Sequence, residues 1–131
     1  MQETTKALFV PAYRGAPVEE ITITDWTQYN ELVEGTFDIV RSYVRSIDFQ
    51  LEEISVYVND EGLLFNLPHN PRASWWTDRR NLVGNAVITG GADSEGNTLD
   101  VPEGLVDLIN NENQQWLDRR AAQVEGLRNG S

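Results

Sequence analysis

The sequence predicts an α+β fold: a small, mainly antiparallel sheet of four or five strands, with one packed helix and a C-terminal helical extension. Two observations predict it. Short apolar or alternating runs, separated by turn-forming residues, recur between residues 6 and 89. Helical spacing of apolar residues is found at residues 26–34 and again after residue 100. Residues 1–100 are expected to form one α+β core domain, and residues 101–131 an extension that is not an independent domain.

The first two strands are predicted to form a hairpin. Residues 6–10 are a short apolar run ended by Pro11, which is typical of a strand covered on both faces. Residues 14–17 contain Gly and Pro and predict a turn. Residues 20–24 then alternate polar and apolar side chains, as expected for a half-buried neighbouring strand.

The predicted packed helix covers residues 26–34. Asp25 and Gln28 are three residues apart and resemble a capping pair at its start. Gly35 is expected to end it, because glycine adopts the left-handed conformation that closes many helices.

The middle of the chain is predicted to add the remaining strands. Residues 36–45 fit a helical stripe almost as well as a strand, but the β-branched and aromatic residues at their start favour a strand for the first half. Residues 48–53 are predicted to be an acidic loop, residues 54–59 a strand, and residues 86–89 a final short strand.

A second helical segment follows Asp100 and Glu103, which form another capping-type pair. Its apolar stripe passes through an Asn-rich stretch that disfavours helix, so the helix is expected to be marginal in the middle. Residues 116–127 are expected either to complete the protein's own core or to dock loosely and bind a partner.

Charge is unevenly distributed along the chain. Residues 17–61 carry eleven acidic residues against Arg41 and Arg45, which gives −9 of the total charge of −11. No basic stripe of the kind that nucleic-acid-binding proteins use is present, so direct nucleic-acid binding is not expected.

Several chemistries lack their residues. The chain has no cysteine, and His69 is its single histidine, so neither a tetrahedral zinc site nor a serine nucleophile triad is predicted. The loop at Asp93 has oxygen ligands but not the spacing of a calcium-binding EF-hand, which favours a solvated turn. We therefore predict no catalytic residue, no metal and no cofactor. No apolar run has the length of a signal peptide or a membrane span, so a cytoplasmic protein is expected.

Residues 59–73 concentrate turn formers, apolar residues and polar side chains. A turn at Glu61 and Gly62 is predicted to send an apolar stretch, residues 63–67, back across the sheet. Two prolines then rigidify a loop that carries Asn70 and Arg72. These polar groups, together with Asn59, either form a binding site or act as an internal plug that bonds to exposed backbone.

A second cluster follows directly in the sequence. Tryptophan and arginine are enriched both in protein-binding hot spots and in platforms on which bases stack. The alternative is one buried Trp and one exposed Trp with solvated arginines. The cluster consists of Arg72, Trp75, Trp76, Arg79 and Arg80.

The chain resembles a small-protein family of bacteria, plasmids and phages, catalogued as domain of unknown function 3846. The likeness spans residues 6–90, and it departs at Asn66, where a small residue, often glycine, is more common. It implies a strand at the start of residues 36–45. The matching positions are Glu61-Gly62, Leu67-Pro68, Asn70 and Arg72-Ala73.

The leading expectation for function is a non-enzymatic accessory protein of a phage or mobile element that binds and modulates an unidentified host protein, with Trp75 and Trp76 as anchors. If the protein is phage-encoded, its location is the host bacterial cytosol. One alternative is an acidic DNA mimic that inhibits a DNA-binding enzyme. Another is a nucleotide or phosphate site formed by Asn59, Asn70 and Arg72. No membrane partner is expected, and a homodimer is left open.

Overall fold

The computed structural model describes residues 4–45, 51–77 and 81–129. The elements are β1 (Thr5–Val10), β2 (Glu19–Ile23), α1 (Thr27–Val33), β3 (Phe37–Arg45), β4 (Leu51–Asn59), α2 (Pro71–Trp76), β5 (Ala86–Gly90) and α3 (Leu105–Asn129). Within the described residues the strands form one antiparallel sheet, in the order β2-β1-β5-β4-β3. The predicted α+β fold, with a sheet of four or five strands and a C-terminal helix, is confirmed, and the sheet has five strands.

The sheet is covered on both faces because alternate side chains of each strand point to opposite sides. On one side, α1 packs on a small cluster in which the rings of Tyr29 and Tyr57 stack at a centroid distance of 3.9 Å. On the other side, α2 and the first half of α3 cover the larger core. That core includes Leu8, Val56, Ile88, Ala73, Leu105 and Ile109.

The start of α1 agrees with the predicted capping pair, but its end is shifted by one residue. Gln28 Oε1 accepts a hydrogen bond from the Asp25 N–H, and Asp25 Oδ1 accepts one from the Thr27 N–H. The prediction that Gly35 closes the helix is wrong. Glu34 holds the left-handed position, with φ of 65°, and Gly35 follows it.

The β3–β4 hairpin is longer than predicted. β3 continues to Arg45, and β4 already begins at Leu51. The prediction of an acidic loop over residues 48–53 is therefore wrong from Leu51 onward, and residues 48–50 lie outside the described part of the chain. The nine-pair ladder explains the difference, because cross-strand pairing overrides the low β-propensity of the two glutamates in β4.

The apolar residues after β4 do not cross the sheet as predicted. They form a tight turn in which the Leu67 N–H donates to the Gly62 carbonyl at 2.9 Å and the Asn66 N–H donates to the Leu63 carbonyl at 3.2 Å. Asn66 adopts a left-handed φ of 59°, as residues that end a helical turn do. The turn therefore leaves Leu63 and Leu64 exposed.

Two helical features differ from the prediction. The proline-containing loop includes the short helix α2, whose first residue is Pro71, a favoured residue at that position. α3 runs without a break through its asparagines, so the predicted weakness in the middle is wrong. Two of these asparagines point inward and bond to another segment, which offsets their low helix propensity.

Candidate functional site

Asn70 fixes α2 against the ends of two strands. Its Oδ1 accepts from the Ala73 N–H at 3.0 Å and caps the helix, while its Nδ2 donates to the carbonyls of Val10 at 2.9 Å and Gly84 at 2.8 Å. The side chain is fully buried, so each of these bonds is shielded from water. α2 is therefore held rigidly on the sheet.

Arg72 lies in the interior and holds the loop that follows β1. Its Nη1 donates to the Ala16 carbonyl at 2.6 Å, and its Nη2 donates to the carbonyls of Pro11 at 2.7 Å and Tyr13 at 2.8 Å. Burial lowers the pKa of Arg72, and the positive charge of Arg14 lowers it further. The guanidinium therefore bonds to the backbone of residues 11–16 and holds this loop in place, as in the predicted internal-plug alternative.

The loop held by Arg72 is also tied to α3. Asn110 exchanges two hydrogen bonds with the backbone of Val18, both at 2.9 Å. Asn113 accepts from Arg14 Nη1 at 3.0 Å and donates to the Arg14 carbonyl at 2.9 Å. The two asparagines are three residues apart and lie on one face of α3, so their side-chain amides attach the loop after β1 to this helix.

Arg14 is held in a fixed position by these contacts. Its guanidinium carbon lies 4.1 Å from the ring centroid of Trp116, within the range of a cation–π interaction. Burial lowers the pKa of Arg14, whereas the nearby charge of Glu112 raises it. The bond to Asn113 uses the Nη1 of Arg14, and the planar fork of a guanidinium offers further N–H groups that suit an incoming carboxylate or phosphate.

Arg14 lies in a groove between α2 and α3 with a volume of about 790 Å³. Trp75 is 71% exposed on the α2 side, and Trp116 is 36% exposed on the α3 side. Two indoles and a partly desolvated arginine are the residue types that dominate binding hot spots. The groove is lined by Arg14, His69, Pro71, Ser74, Trp75, Glu112, Trp116 and Arg119.

The groove contains a histidine next to a serine, but the hydroxyl is already engaged. Ser74 Oγ lies 3.3 Å from His69 Nε2. The same oxygen donates to the Asn70 carbonyl at 2.7 Å and accepts from the Leu82 N–H at 3.1 Å. Ser74 is buried and its hydroxyl links α2 to the segment before β5, so the pair serves the structure of the groove wall.

The residues predicted as a binding site are divided between the two faces of the sheet. Asn59 donates to the Val33 carbonyl at 3.1 Å on the α1 side, and its Oδ1 accepts from the Glu61 N–H at 2.8 Å. Asn70 and Arg72 lie on the α2 side. A pocket shared by all three is therefore not formed, because their polar atoms are used by separate stretches of backbone.

The remaining predicted residues have different environments. Glu61 is exposed in the turn after β4, and Gly62 is buried there, where an added Cβ would lie 2.6 Å from a Val83 methyl group. Trp76 is half buried and packs against the main core, with its Nε1 buried and unpaired within the described part of the chain. Arg79 and Arg80 lie outside the described residues.

The groove joins Trp75, a predicted binding residue, with Arg14, which the sequence places in a turn and does not mark as a binding residue. It also includes Trp116, the first residue of the segment 116–127 for which partner binding is one of the two expectations. The available signal was the spacing of Asn110, Asn113 and Trp116, which places two amides and an indole along one face of a helix.

The loop considered for a hard cation is a self-contained turn. Asp93 accepts hydrogen bonds from the N–H groups of Glu95 at 2.9 Å and Asn97 at 2.8 Å. Bonds from Asn97 are the main cause that lowers the pKa of Asp93. Across the residues described here, no group of three His, Cys, Asp or Glu side chains is placed to hold a metal ion. In the same residues, no helix combines the length and apolar character needed to cross a membrane.

Comparisons with known proteins give a family and a fold. The chain is similar in structure to part of a protein described as the small RNA methyltransferase HEN1, with a TM-score of 0.61 and 18% sequence identity. The match covers 83% of this chain and 16% of that protein, so this chain spans about one-sixth of its length. At this identity the likeness concerns the fold. None of the curated proteins compared with the chain matches it in sequence. A family model for the domain of unknown function DUF3846 matches residues 5–114, and the chain belongs to that family.

Proposed function

We propose that this protein is a non-enzymatic binding protein that modulates a partner protein by holding a segment of it in the groove between α2 and α3. In the phage or mobile-element setting that the family resemblance implied, the partner is a host protein. The observation that carries the proposal is the position of Arg14, which Asn113 and Trp116 hold opposite the exposed indole of Trp75.

The chemistry of the groove favours a segment with one acidic and one apolar group. The lining includes Arg14 and Arg119 against Glu112, and the buried charge of Arg72 adds to the positive potential at Arg14. An incoming carboxylate suits the fixed guanidinium, and an apolar or aromatic side chain suits the two indoles. Little side-chain entropy remains to be lost by Arg14 on binding, since it is already ordered.

A small anionic ligand is a second candidate that one observation favours. The groove volume of about 790 Å³ lies in the range of small-molecule sites, and Trp with Arg suits a nucleotide base and phosphate. Thermal unfolding with a panel of nucleotides tests it, because a bound nucleotide raises the unfolding temperature.

The DNA-mimic alternative has less support from the fold. β2, which begins with Glu19 and Glu20, lies at the edge of the sheet opposite β3. β4 carries Glu52 and Glu53 and pairs with β3, but β3 contributes a single acidic residue, Asp38, so these two neighbouring strands do not form a pair of phosphate-like tracks. A competition assay with basic DNA-binding proteins tests what remains of this alternative.

Affinity capture from a bacterial lysate tests the protein-binding proposal with a matched pair of variants. Trp75→Ala removes the exposed indole in the groove. Trp26→Ala removes an indole that is 64% exposed beside α1, on the other face of the sheet. We expect a partner that is retained by the wild type and by Trp26→Ala but lost by Trp75→Ala and by Arg14→Ala.

Two results would count against the proposal. Equal capture of every protein by all four versions would remove the groove as the binding surface. A nucleotide-dependent rise in unfolding temperature that Trp75→Ala abolishes, without any captured protein, would favour the small-ligand candidate.

A further inference from the structure

β3 forms one side edge of the sheet, and no described residue pairs with its outer side. The strand is nine residues long and its register with β4 is unbroken over nine pairs, so it contains no bulge. It also contains no proline and no lysine. Bulges, prolines and charged side chains, lysine above all, are the usual devices that keep an edge strand from pairing with another chain. The β3 edge has no bulge, proline or lysine, and its charged side chains include both signs, Asp38 and Arg41.

The hydrogen-bond phase of β3 shows which residues have outward backbone groups. The Asp60 N–H donates to the Thr36 carbonyl at 3.1 Å, which extends the β3–β4 ladder by one hydrogen-bonded pair. Bonded and non-bonded pairs alternate in an antiparallel ladder, so the even-numbered residues of β3 bond to β4. The N–H and C=O groups of Phe37, Ile39, Arg41 and Tyr43 therefore point outward. The Ile39 N–H donates to the exposed Asp38 Oδ1 at 2.9 Å, a local bond that pairing with another strand would replace.

Exposed apolar side chains flank this edge on both faces of the sheet. On the α1 side, Ile39 is 45% exposed and Tyr43 is 58% exposed. On the other side, Leu63 and Leu64 from the turn after β4 line a cavity of about 370 Å³ that also contacts β3. Exposed apolar side chains therefore lie beside the outward backbone groups of β3 on both faces of the sheet.

Charge distinguishes the β3 edge from the opposite edge. Two copies of a chain with charge −11 repel each other, and this repulsion is smallest where the least acidic surfaces meet. β2 at the other edge begins with Glu19 and Glu20 and contains no base. Among the side chains that the structure describes, β3 carries one acid and one base, Asp38 and Arg41, so its charges balance. A second copy is thus repelled least at β3.

We propose that two copies of this chain pair antiparallel through β3, forming a continuous ten-stranded sheet about a twofold axis. Directly opposite residues of paired strands share a face, so the twofold axis must lie midway between the two copies of one residue. An axis between the two copies of Val40 places Phe37 of one copy opposite Tyr43 of the other. An axis at Arg41 would place two guanidiniums opposite each other and is disfavoured.

The test compares two proline variants on opposite edges of the sheet. Arg41→Pro removes an outward N–H, so it blocks pairing with a second copy and leaves the ladder to β4 intact. Thr22→Pro is the matched control. The Lys6 carbonyl accepts from the Val101 N–H at 2.9 Å, away from β2, so the Lys6–Thr22 pair is not hydrogen bonded and the Thr22 N–H also points outward.

Sedimentation velocity over a dilution series measures the mass of each version, and circular dichroism checks that each is folded. We expect dimers for the wild type and Thr22→Pro, and a monomer for Arg41→Pro. Should Arg41→Pro not fold, Ile39→Lys replaces it, because it adds an exposed charge at the same edge without altering the backbone. A monomeric wild type at every concentration, a folded dimeric Arg41→Pro or Ile39→Lys, or a folded monomeric Thr22→Pro would each overturn the proposal.

Discussion

Asn113 and Arg14 hold each other through two reciprocal hydrogen bonds: Arg14 Nη1 donates to Asn113 Oδ1 at 3.0 Å, and Asn113 Nδ2 donates to the Arg14 carbonyl at 2.9 Å. The residues are 99 positions apart in the chain. This pair connects the loop after β1 to α3, and it also orients the arginine that faces the groove. A structural contact and a proposed binding contact thus share one side chain.

Replacement of Asn113 by Ala is expected to affect stability and binding together. The amide is almost fully buried, and removing it leaves the Arg14 carbonyl without its partner, which costs about 1 to 3 kcal/mol of unfolding free energy. Urea unfolding measures this loss. Gln114→Ala is the control, because Gln114 is exposed and its amide donates along the helix to Asp118. A change of the same size in both variants would contradict the assigned role of Asn113.

Arg72→Met is expected to destabilise the protein by about 3 kcal/mol or more, because three partly buried carbonyls lose their donor and each unpaired group costs about 1 to 3 kcal/mol. Arg72→Lys is expected to recover little, since an ammonium group cannot reproduce the planar fork. Arg119→Met, an exposed arginine of the groove, is expected to change stability by about 0.5 kcal/mol or less. Urea unfolding of the three variants measures their free energies of unfolding, and only the two Arg72 variants are expected to show a large loss.

The sequence predicted those elements whose signal is local. β1, β5 and the strand at residues 54–59 are bounded apolar runs, and the period of α1 is visible within nine residues. α2 was missed because six residues are too few to show a helical period, and two nearby prolines favoured a loop. The prediction for residues 63–67 failed because Asn66 in the left-handed conformation ends the segment as a turn.

The candidate site was less accessible from sequence because its parts are distant in the chain. Trp75 was predicted because its neighbours in the sequence are rich in tryptophan and arginine. The contact between Arg14 and Trp116, in contrast, depends on how α3 packs. Asn110 and Asn113 were interpreted as helix-weakening residues. Helix propensity was the wrong measure for them, because their amides bond to backbone N–H and C=O groups of the loop at residues 14–18, which strand pairing would otherwise satisfy.

Glu34→Gly is expected to raise stability by about 0.5 to 1 kcal/mol. Glycine removes the strain of a left-handed φ of 65° at the end of α1, and this gain is partly offset because glycine also increases the conformational entropy of the unfolded chain. Glu31→Gly is the matched control within the helix and is expected to lower stability by about 1 kcal/mol. Thermal unfolding gives both values. A loss of stability in Glu34→Gly would show that the Glu34 side chain contributes more than its backbone strain.

The turn at Asp93 is expected to weaken at low pH. Its folded pKa is below the ordinary value of 3.8, chiefly through the bond from the Asn97 backbone, so its contribution is complete above that value and is lost as the pH falls through the folded pKa. Hydrogen exchange of the Asn97 N–H should rise in that range. Asp93→Asn is expected to remove this pH dependence while keeping an acceptor oxygen. An Asp93 carboxyl that titrates at or above 3.8 by nuclear magnetic resonance would refute the expectation.

Replacement by Ala is expected to lower stability far more at Trp76 than at Trp75, although the two residues are adjacent. Trp76 packs against the main core, so its removal leaves a cavity and is expected to lower stability by about 3 kcal/mol. Trp75 is largely exposed, so its removal is expected to change stability by about 0.5 kcal/mol or less. Urea unfolding monitored by circular dichroism measures both without relying on the indoles that are removed. Because Trp76→Ala weakens the fold, a binding loss in that variant has two possible causes, whereas the same loss in a fully stable Trp75→Ala is attributable to the groove. Equal destabilisation by the two replacements would mean that α2 buries both indoles.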